Sequence, residues 1–356
     1  MLYKTNCQCN NKQIMKTIFA FDDSDMNLTK AKQALTGHYR VLTMPSAERM
    51  FALLEKITPN LILLDIEMPG MDGFTALKKL MEEEKTAKIP VMFLTASTDE
   101  EVEARGFELG AVDFVSKPFS TSVLLNRIAT HLHIDEIIKK RTARIEQLQN
   151  GIILVTAAIV ENRDKLTGGH IERTSLYLKL MIDEMLTKGV YVEEIKDWDV
   201  DVLVSSARLH DVGKIEISDL ILNKPDKLTP DELERMRSHT LEGERIIDQV
   251  IVKTGEGWFL HHARLFAGYH HERWDGGGYP HGLKNERIPL QGRIMAVADV
   301  YDALISERPY KKAFPRADAE RIILNDNGAA FDPNLVEVFL ELKDAFAEVV
   351  ESYRSI

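Results

Sequence analysis

The chain has 356 residues, of which 44% are hydrophobic and 28% are charged, so we expect two folded domains and exclude a disordered chain. The formal net charge of −11 argues against direct DNA binding, because phosphate contacts need clustered Lys and Arg. The sequence contains no apolar run of transmembrane length and no signal peptide at its start, so we expect a cytoplasmic protein with no membrane partner.

The first 15 residues form a polar leader that contains Cys7 and Cys9, the only two cysteines of the chain. Two thiols without a second pair are poor evidence for a zinc knuckle or a disulfide framework. We therefore predict that residues 1–15 are a disordered leader.

Residues 16–134 alternate β-rich runs with amphipathic helical stretches, and this alternation predicts an α/β domain with a five-stranded parallel sheet covered by helices on both faces. The predicted strands are the runs KTIFAF, YRVLTM, LILLDI, PVMFLTA and VDFVSK. In such a sheet, ligands collect at the carboxyl ends of the strands.

Those strand ends carry three acids, a hydroxyl and an amine, at Asp22, Asp23, Asp65, Thr95 and Lys117. Clustered acids repel one another, so an oxygen-preferring cation such as Mg²⁺ is the expected guest, and a carboxylate beside it can attack phosphorus. The alternative is that strand-end acids cap the following helices, which would explain Asp23 but not the Thr and the Lys.

The segments FDDSDMN, LLDIEMPGMDG, FLTA and FVSKPF resemble, in order, the four motifs of the response-regulator receiver domain. The resemblance implies a doubly wound, flavodoxin-like sheet, a sensor histidine kinase as phosphodonor and a Lys117–Pro118 bond that is cis. It also implies the site residues: the phosphoacceptor Asp65, the Mg²⁺ ligands Asp22, Asp23, Asp65 and Glu67, and the switch residues Thr95, Phe114 and Lys117.

Residues 135–160 form a predicted helical connector, in which apolar side chains recur in steps of four and three. These positions are Ile134, Ile138, Ile145, Leu148, Ile152, Val155 and Ile159, with Arg141 in one slot. We expect a coiled coil that pairs two copies in a homodimer. A single amphipathic helix lying on its own domain is the alternative, and it is favoured beyond residue 152.

Eight of the eleven histidines follow residue 160, and several sit beside acids in apolar segments. His210 and Asp211 are adjacent on a predicted apolar helix, where an unpaired charge would be costly. We interpret this and similar positions as metal ligands: His170, His210, Asp211, His239, His270, His271 and Asp299. His38, His131, His133 and His281 are interpreted as structural or exposed, and His261 and His262 as a solvated helix face.

Seven such side chains, with Asp211 bridging, leave about four positions of two octahedral metals for water and substrate oxygens. That is the outline of a two-metal hydrolase. Mixed histidine and carboxylate ligands suit Fe, Mn, Ni or Zn better than Mg or Ca. We therefore expect two divalent transition metals in the second half.

The segments HDVGK, HHERWDGGGYP, ADVYDALISERPYK and FDP resemble the HD-GYP domain, a branch of the HD phosphohydrolases, over residues 150–356. The resemblance implies an all-α helical bundle that hydrolyses cyclic di-GMP, an intracellular messenger, to pGpG or GMP, with His210, Asp211 and Lys214 as catalytic residues. It implies substrate contacts from Lys214, Arg308, Lys311, Gly278, Tyr279 and Pro280. Arg308 and Lys311 could equally be surface residues before a helix.

Some members of that family carry a Glu four residues before the first histidine, associated with a third metal, where this chain has Leu166. Leucine cannot coordinate, so we expect two metals. Two alternatives to a cyclic di-GMP phosphodiesterase stay open. One is a module that binds the dinucleotide or a regulatory protein with little turnover, and the other is a hydrolase of another dinucleotide such as pGpG.

Overall fold

The computed structural model describes residues 15–96, 99–163, 169–255, 257–307 and 312–354. The chain divides into two compact units, 1–145 and 146–356. Apart from Met15, the predicted leader lies outside the described residues.

The first unit contains the five predicted strands, which pair in parallel in the order β2-β1-β3-β4-β5. The elements of this unit, in chain order, are β1 Thr17–Phe21, α1 Asp25–Leu35, β2 Arg40–Met44, α2 Ala47–Leu54, β3 Leu61–Asp65, α3 Gly73–Glu82, α4 Glu84–Ala87, β4 Val91–Thr95, α5 Glu100–Glu108 and β5 Asp113–Ser116. The predicted doubly wound parallel sheet is confirmed.

Successive strand residues point to opposite faces of the sheet, and both faces are buried. On one face Phe19, Ile62 and Phe93 pack with Phe74 and Leu77 of α3. On the other face the alternate strand residues pack against α1 and against the helix that follows β5. Two apolar layers therefore fix the strand ends at one edge of the sheet.

The long helix α6, Thr121–Arg163, has 43 residues. Its first turns belong to the sheet unit, because Leu124, Ile128 and Leu132 are buried against the sheet. The helix then continues through residues 134 and 145 without a break. The predicted connector is therefore the continuation of the last helix of the sheet unit.

The heptad positions of α6 are exposed to solvent in the single chain. Ile138 and Ile152, for example, are 58% and 66% exposed. Beyond residue 152 the helix does pack on its own unit, but through Ala157 and Val160, which lie off the heptad positions and are buried.

The second unit is built from helices, and among its described residues the only β pairing is an isolated bridge between Asn327 and Phe331. The predicted all-α bundle is confirmed. Its helices are α7 His170–Lys188, α8 Val192–Ile195, α9 Val200–Ala207, α10 Asp219–Leu222, α11 Pro230–Arg237, α12 His239–Thr254, α13 Trp258–Tyr269, α14 Leu290–Ile305, α15 Arg316–Asn325 and α16 Pro333–Arg354, with 3₁₀ turns at Val212–Glu216 and Asn285–Arg287.

An aromatic cluster joins α7, α14 and α16 in the core of this unit. The rings of Tyr177 and Phe346 are stacked with centroids 4.4 Å apart, and Tyr301 and Phe339 meet them edge-on or tilted. These four side chains are almost fully buried. The cluster packs α7 against α14, and these helices carry the first and last predicted metal ligands, His170 and Asp299.

Among the described residues, none of the helices combines the length and the apolarity that crossing a bilayer requires.

Replacing Phe346 with alanine tests the aromatic cluster. We expect a loss of about 3–5 kcal/mol in the unfolding free energy of the second unit, because a fully buried ring leaves a cavity. By calorimetry on the intact chain, that transition should fall by roughly 6–20 °C, whereas the transition of the first unit stays in place. Leu220→Ala, at a side chain that is 85% exposed, serves as the control. Phe346→Leu should show an intermediate loss, and a loss below about 1 kcal/mol in both Phe346 variants would contradict the packing argument.

Candidate functional site

The carboxyl edge of the sheet brings together the acids and the amine that the sequence predicts. Asp22 follows β1, Asp65 ends β3, and Nζ of Lys117 lies 2.6 Å from Asp22 Oδ2 and 2.7 Å from Asp65 Oδ2. Carboxylate oxygens of Asp22, Asp23 and Asp65 lie within 4.8 Å of one another. Three hard oxygen donors at this spacing fit a Mg²⁺ ion.

Burial raises the pKa of Asp65, and the charge of Asp22 raises it further, whereas Lys117 opposes both effects. A cation between the carboxylates would therefore favour the ionised form of Asp65. Asp22 accepts the backbone N–H of Ser24, which precedes α1, and Asp23 accepts no backbone N–H of α1 among the described residues. The capping alternative for Asp23 is therefore wrong.

Two of the predicted switch residues, Thr95 and Lys117, lie at the same edge, and the third, Phe114, lies within β5. Thr95 ends β4 and is buried, and its backbone oxygen accepts the N–H of Lys117 at 2.7 Å. The ring of Phe114 is buried between Phe93 and Phe107. The Lys117–Pro118 bond is cis, as the resemblance implies. Glu67 lies two residues after the end of β3 and is exposed.

The second unit brings all seven predicted metal ligands into one cleft. The side chains form two groups whose ligand atoms lie within 4.8 Å of one another. One group is His170, His210 and Asp299, and the other is His239, His270 and His271.

Asp211 lies between these two groups and faces each with a different oxygen. Its Oδ2 is 3.4 Å from Nε2 of His210, and its Oδ1 is 3.4 Å from Nε2 of His239 and 3.7 Å from Nε2 of His270. Oδ1 of Asp211 and Nε2 of His210 are buried and have no hydrogen-bond partner among the described residues. Buried polar atoms in that state are expected where a metal is coordinated.

The imidazole rings are held so that their Nε2 atoms face the cleft. Nδ1 of His210, His239 and His270 each donates to a backbone carbonyl at 2.8–2.9 Å, and Nδ1 of His170 donates to Asp302 Oδ2 at 2.8 Å. In a neutral ring this leaves the lone pair on Nε2. Nε2 of His239 and Nε2 of His270 are 3.4 Å apart. Two facing lone pairs at that distance require a cation between them or a proton on one of them.

Burial lowers the pKa of His270 to about 3, and it lowers the pKa of His271 well below the usual value, with His270 adding to the effect. Burial therefore favours the neutral form of both rings, which is the form that binds a metal. Burial also lowers the pKa of His239, so it opposes the proton that would relieve the repulsion between His239 and His270, and the residues fit a metal pair.

The glycine-rich loop after His271 is held by a buried acid that the sequence analysis did not single out. Glu272 accepts the backbone N–H groups of His281, Gly282 and Leu283 at 2.7–3.1 Å. A Cβ atom at Gly278 would stand 2.3 Å from the backbone nitrogen of Arg273. Only glycine permits this close approach, which brings the loop back over the histidine pair.

That loop places Tyr279 against two of the predicted metal ligands, His239 and His271. Its ring centroid lies 4.9 Å from that of His271, the guanidinium carbon of Arg237 lies over the ring at 5.1 Å from the centroid, and the bond to Pro280 is cis. The structure therefore brings Gly278, Tyr279 and Pro280 to the cleft. Lys214 is there as well, with Nζ 2.7 Å from Asp211 Oδ2.

A second close approach positions Asp211 itself. A Cβ atom at Gly213 would be 1.9 Å from the carbonyl oxygen of His239 and 2.4 Å from the backbone nitrogen of Gly243. The glycine therefore allows the 3₁₀ turn after Asp211 to press against α12. That contact brings Asp211 to His239 on α12.

Two interpretations from the sequence are wrong. His210 and Asp211 are not on a helix: α9 ends at Ala207, and the chain tightens into successive i+3 bonds before the 3₁₀ turn. His262 is not on a solvated face, because it is buried, its Nδ1 accepts a hydrogen bond from Nε2 of Gln291 at 2.9 Å, and its ring packs against Trp258 and Trp198. Gln291 and the two tryptophans therefore surround an imidazole that is not among the predicted metal ligands.

Arg308, Lys311 and Leu166 lie outside the described residues, so their roles stay predictions.

The sequence analysis missed the residues that support the ligands. Asp302 accepts from both His170 and Arg173, and Glu161 accepts the backbone N–H of His170 at 2.9 Å. Asp302 lies three residues after Asp299, and Arg173 three after His170, so each pair shares one helix face. That spacing was the available signal. Glu161 offered none, because it reaches His170 from another helix.

Two family models match this chain. Residues 18–129 match the response regulator receiver domain, and residues 155–335 match the HD domain.

Similar proteins share both parts. The chain is 37% identical to a probable cyclic di-GMP phosphodiesterase of Vibrio cholerae, over 95% of this chain and 80% of that protein. It is 32% identical to a cyclic di-GMP phosphodiesterase of Thermotoga maritima, over 95% and 92%, and 35% identical to the cyclic di-GMP phosphodiesterase response regulator RpfG of Xanthomonas campestris, over 79% and 75%. The chain therefore belongs to the family of response regulators that join a receiver domain to a metal-dependent HD phosphohydrolase domain.

Proposed function

We propose that this chain hydrolyses cyclic di-GMP to pGpG, GMP or both, and that two divalent transition metals, of Fe, Mn, Ni or Zn, serve the reaction. The observation that carries the proposal is the position of Asp211, with one carboxylate oxygen facing each of two ligand groups. The similar proteins named as cyclic di-GMP phosphodiesterases support the substrate. Because that dinucleotide is intracellular, we infer that the chain acts in the cytoplasm.

When bound, the two metals would supply an activated water and would neutralise charge on the phosphate oxygens. His170, His210 and Asp299 would hold one metal, His239, His270 and His271 the other, and Asp211 both. Lys214, now paired with Asp211, is close enough to the ligands to meet a non-bridging phosphate oxygen. We assign the substrate's flanks to Tyr279 and its neighbours, and its phosphates or guanine edges to Arg308 and Lys311.

The receiver domain would control this reaction through phosphorylation of Asp65 by a sensor histidine kinase. Asp22, Asp23, Asp65 and the backbone oxygen of Glu67 would hold Mg²⁺. Lys117 and Thr95 would contact the phosphoryl oxygens, and Phe114 would reorient with Thr95. The close ion pairs of Lys117 with Asp22 and Asp65 support this assignment.

We also propose a homodimer formed along α6. The support is the row of exposed apolar side chains at heptad positions, from Ile134 to Ile159. A seven-residue repeat of such side chains suits pairing with the same helix of a second copy.

Asp65→Asn tests the phosphoacceptor. With Mg²⁺ and acetyl phosphate, the wild type should gain one phosphoryl group by intact-mass spectrometry, and Asp65→Asn should gain none, because an amide is not a nucleophile towards phosphorus. Asp25→Asn, an exposed acid at the start of α1, is the matched control and should behave as wild type. An unmodified wild type beside a second, phosphorylated receiver protein would count against the assignment.

Elemental analysis tests the metal site. The wild type should hold no more than about two transition-metal ions per chain, and His210→Ala and Asp211→Ala should each lose most of them. His133→Ala, an exposed histidine on α6, should lose none. Three ions per chain in the wild type would overturn the argument from Leu166, and full retention by Asp211→Ala would overturn the bridging role.

Asp211→Asn and Arg308→Ala should separate the steps of reaction and binding. Asp211→Asn should abolish turnover of cyclic di-GMP while calorimetry still detects binding, because the neutral amide cannot serve both ligand groups. Arg308→Ala should weaken binding by about 1.5–3 kcal/mol, roughly tenfold to a hundredfold, with a shallower salt dependence. A wild type that binds cyclic di-GMP, yet cleaves neither it nor pGpG with Mn, Fe, Ni or Zn, would instead make the domain a binding module.

A further inference from the structure

The last turns of α6 contact both segments that carry the metal ligands on the His170 side of the cleft. Nη1 of Arg163 donates to the carbonyl oxygen of Ile215 at 2.9 Å, and Nη2 donates to that of Ile217 at 3.0 Å. A longer bond of 3.4 Å reaches the carbonyl oxygen of Lys214. Arg163 therefore caps the carboxyl end of the 3₁₀ turn that begins just after Asp211.

That turn needs such a cap. The last carbonyl groups of a helical turn have no partner inside it, and a guanidinium at this end also suits the local dipole. Asp219 completes the arrangement at 2.9 Å from Nη2, and the carbonyl oxygen of Arg163 accepts from Asn223 Nδ2 at 2.8 Å. One side chain of α6 thus fixes the backbone of the segment 214–219.

Glu161, two residues earlier on α6, caps the amino end of α7. Its Oε1 accepts the backbone N–H of His170 at 2.9 Å, and His170 is the first residue of α7. Gly169 precedes that helix and has no side chain with which to cap it. The Glu161 carboxylate therefore replaces the missing local cap and fixes the start of the helix on which His170 is a ligand.

The face of α6 between these two contacts is packed on the same segments. Ala157 and Val160 are buried, and together with Glu161 they line a narrow cavity whose other walls include His170, His210 and Lys214. A shift or rotation of this end of α6 would therefore change the backbone positions of Lys214 and His170 together.

We propose that Arg163 and Glu161 are positioning residues, through which the end of α6 holds Lys214 and His170 in alignment for the reaction. The inference rests on the phosphodiesterase function proposed above. Neither side chain needs to touch the substrate. A displacement of about 1 Å of a group that does can cost a hundredfold in rate.

Steady-state kinetics of the metal-loaded full chain tests Arg163. Arg163→Ala should lower kcat for cyclic di-GMP about tenfold to a hundredfold and leave KM within about threefold. Arg163→Lys keeps the charge but not the two-pronged geometry, so it should recover only part of the loss. Arg144→Ala, at an exposed arginine of α6, is the control and should stay within about twofold of wild type.

Hydrogen exchange supplies a readout that does not need turnover. In Arg163→Ala the amides of residues 212–219 should exchange at least about tenfold faster, with the unfolding transition of the second unit still cooperative and peptides from α16 unchanged. Unchanged exchange in 212–219 would overturn the proposal for Arg163, and so would faster exchange with kcat within twofold of wild type.

Glu161→Gln and Glu161→Ala separate a cap from a metal ligand. The Gln side-chain oxygen can still accept the N–H of His170, so Glu161→Gln should keep most of the activity and of the Mn²⁺ affinity, whereas Glu161→Ala should lose about tenfold in kcat and weaken Mn²⁺ binding measurably. Equal losses in both variants would overturn the capping role.

Failure of the proposed function has a different signature. If wild type cleaves neither cyclic di-GMP nor pGpG, the phosphodiesterase proposal fails, and positioning is then judged from exchange and Mn²⁺ affinity. Faster exchange in Arg163→Ala together with weaker Mn²⁺ binding in Glu161→Ala alone would support the positioning role. Any other pattern would reject it.

Discussion

The carboxylate of Asp211 is the group on which the helical domain depends. A carboxylate largely removed from water must be offset by positive charge or by donors. Here the ammonium group of Lys214 lies 2.7 Å from Oδ2, whereas Oδ1 faces His239 and His270 without a hydrogen bond among the described residues. Lys214 and His210 hold the pKa of Asp211 well below its usual range against the effect of burial. The 3₁₀ turn, α12 and the end of α13 meet at the Asp211 carboxylate. Gly213 makes this meeting sterically possible, because a side chain there would collide with α12.

Much of the sheet domain and the identity of the metal-cleft residues could be predicted from the sequence, because the relevant signals are local. Each strand is a short apolar run, and the rule that parallel strands end at one edge brings Asp22, Asp65 and Lys117 together without further information. The histidines of the cleft were recognisable because they adjoin acids or each other in apolar segments. Their grouping into two sets around Asp211 was not, since it depends on how helices distant in sequence pack.

The errors and omissions share a physical cause: the missing information lies in contacts between segments. His262 resembles an exposed histidine until Gln291 and two tryptophans are packed around it. Glu272 resembles a loop acid until three backbone N–H groups turn back onto it. The connector continues the last helix of the receiver domain, and this continuity was not predicted, although no Gly or Pro lies between Thr121 and residue 150 to end that helix.

Because α6 is one unbroken helix, the position of a residue along it sets the direction in which that side chain points from the axis. Its 43 residues extend about 65 Å, and each residue added or removed would turn Arg163 by about 100° around the axis. A change of seven residues returns it to within about 20° of its original direction. A residue inserted between Ala157 and Arg163 would therefore turn Arg163 away from the helix face on which Ala157 and Val160 are buried, so the spacing of these positions along the helix is constrained as well as their identity.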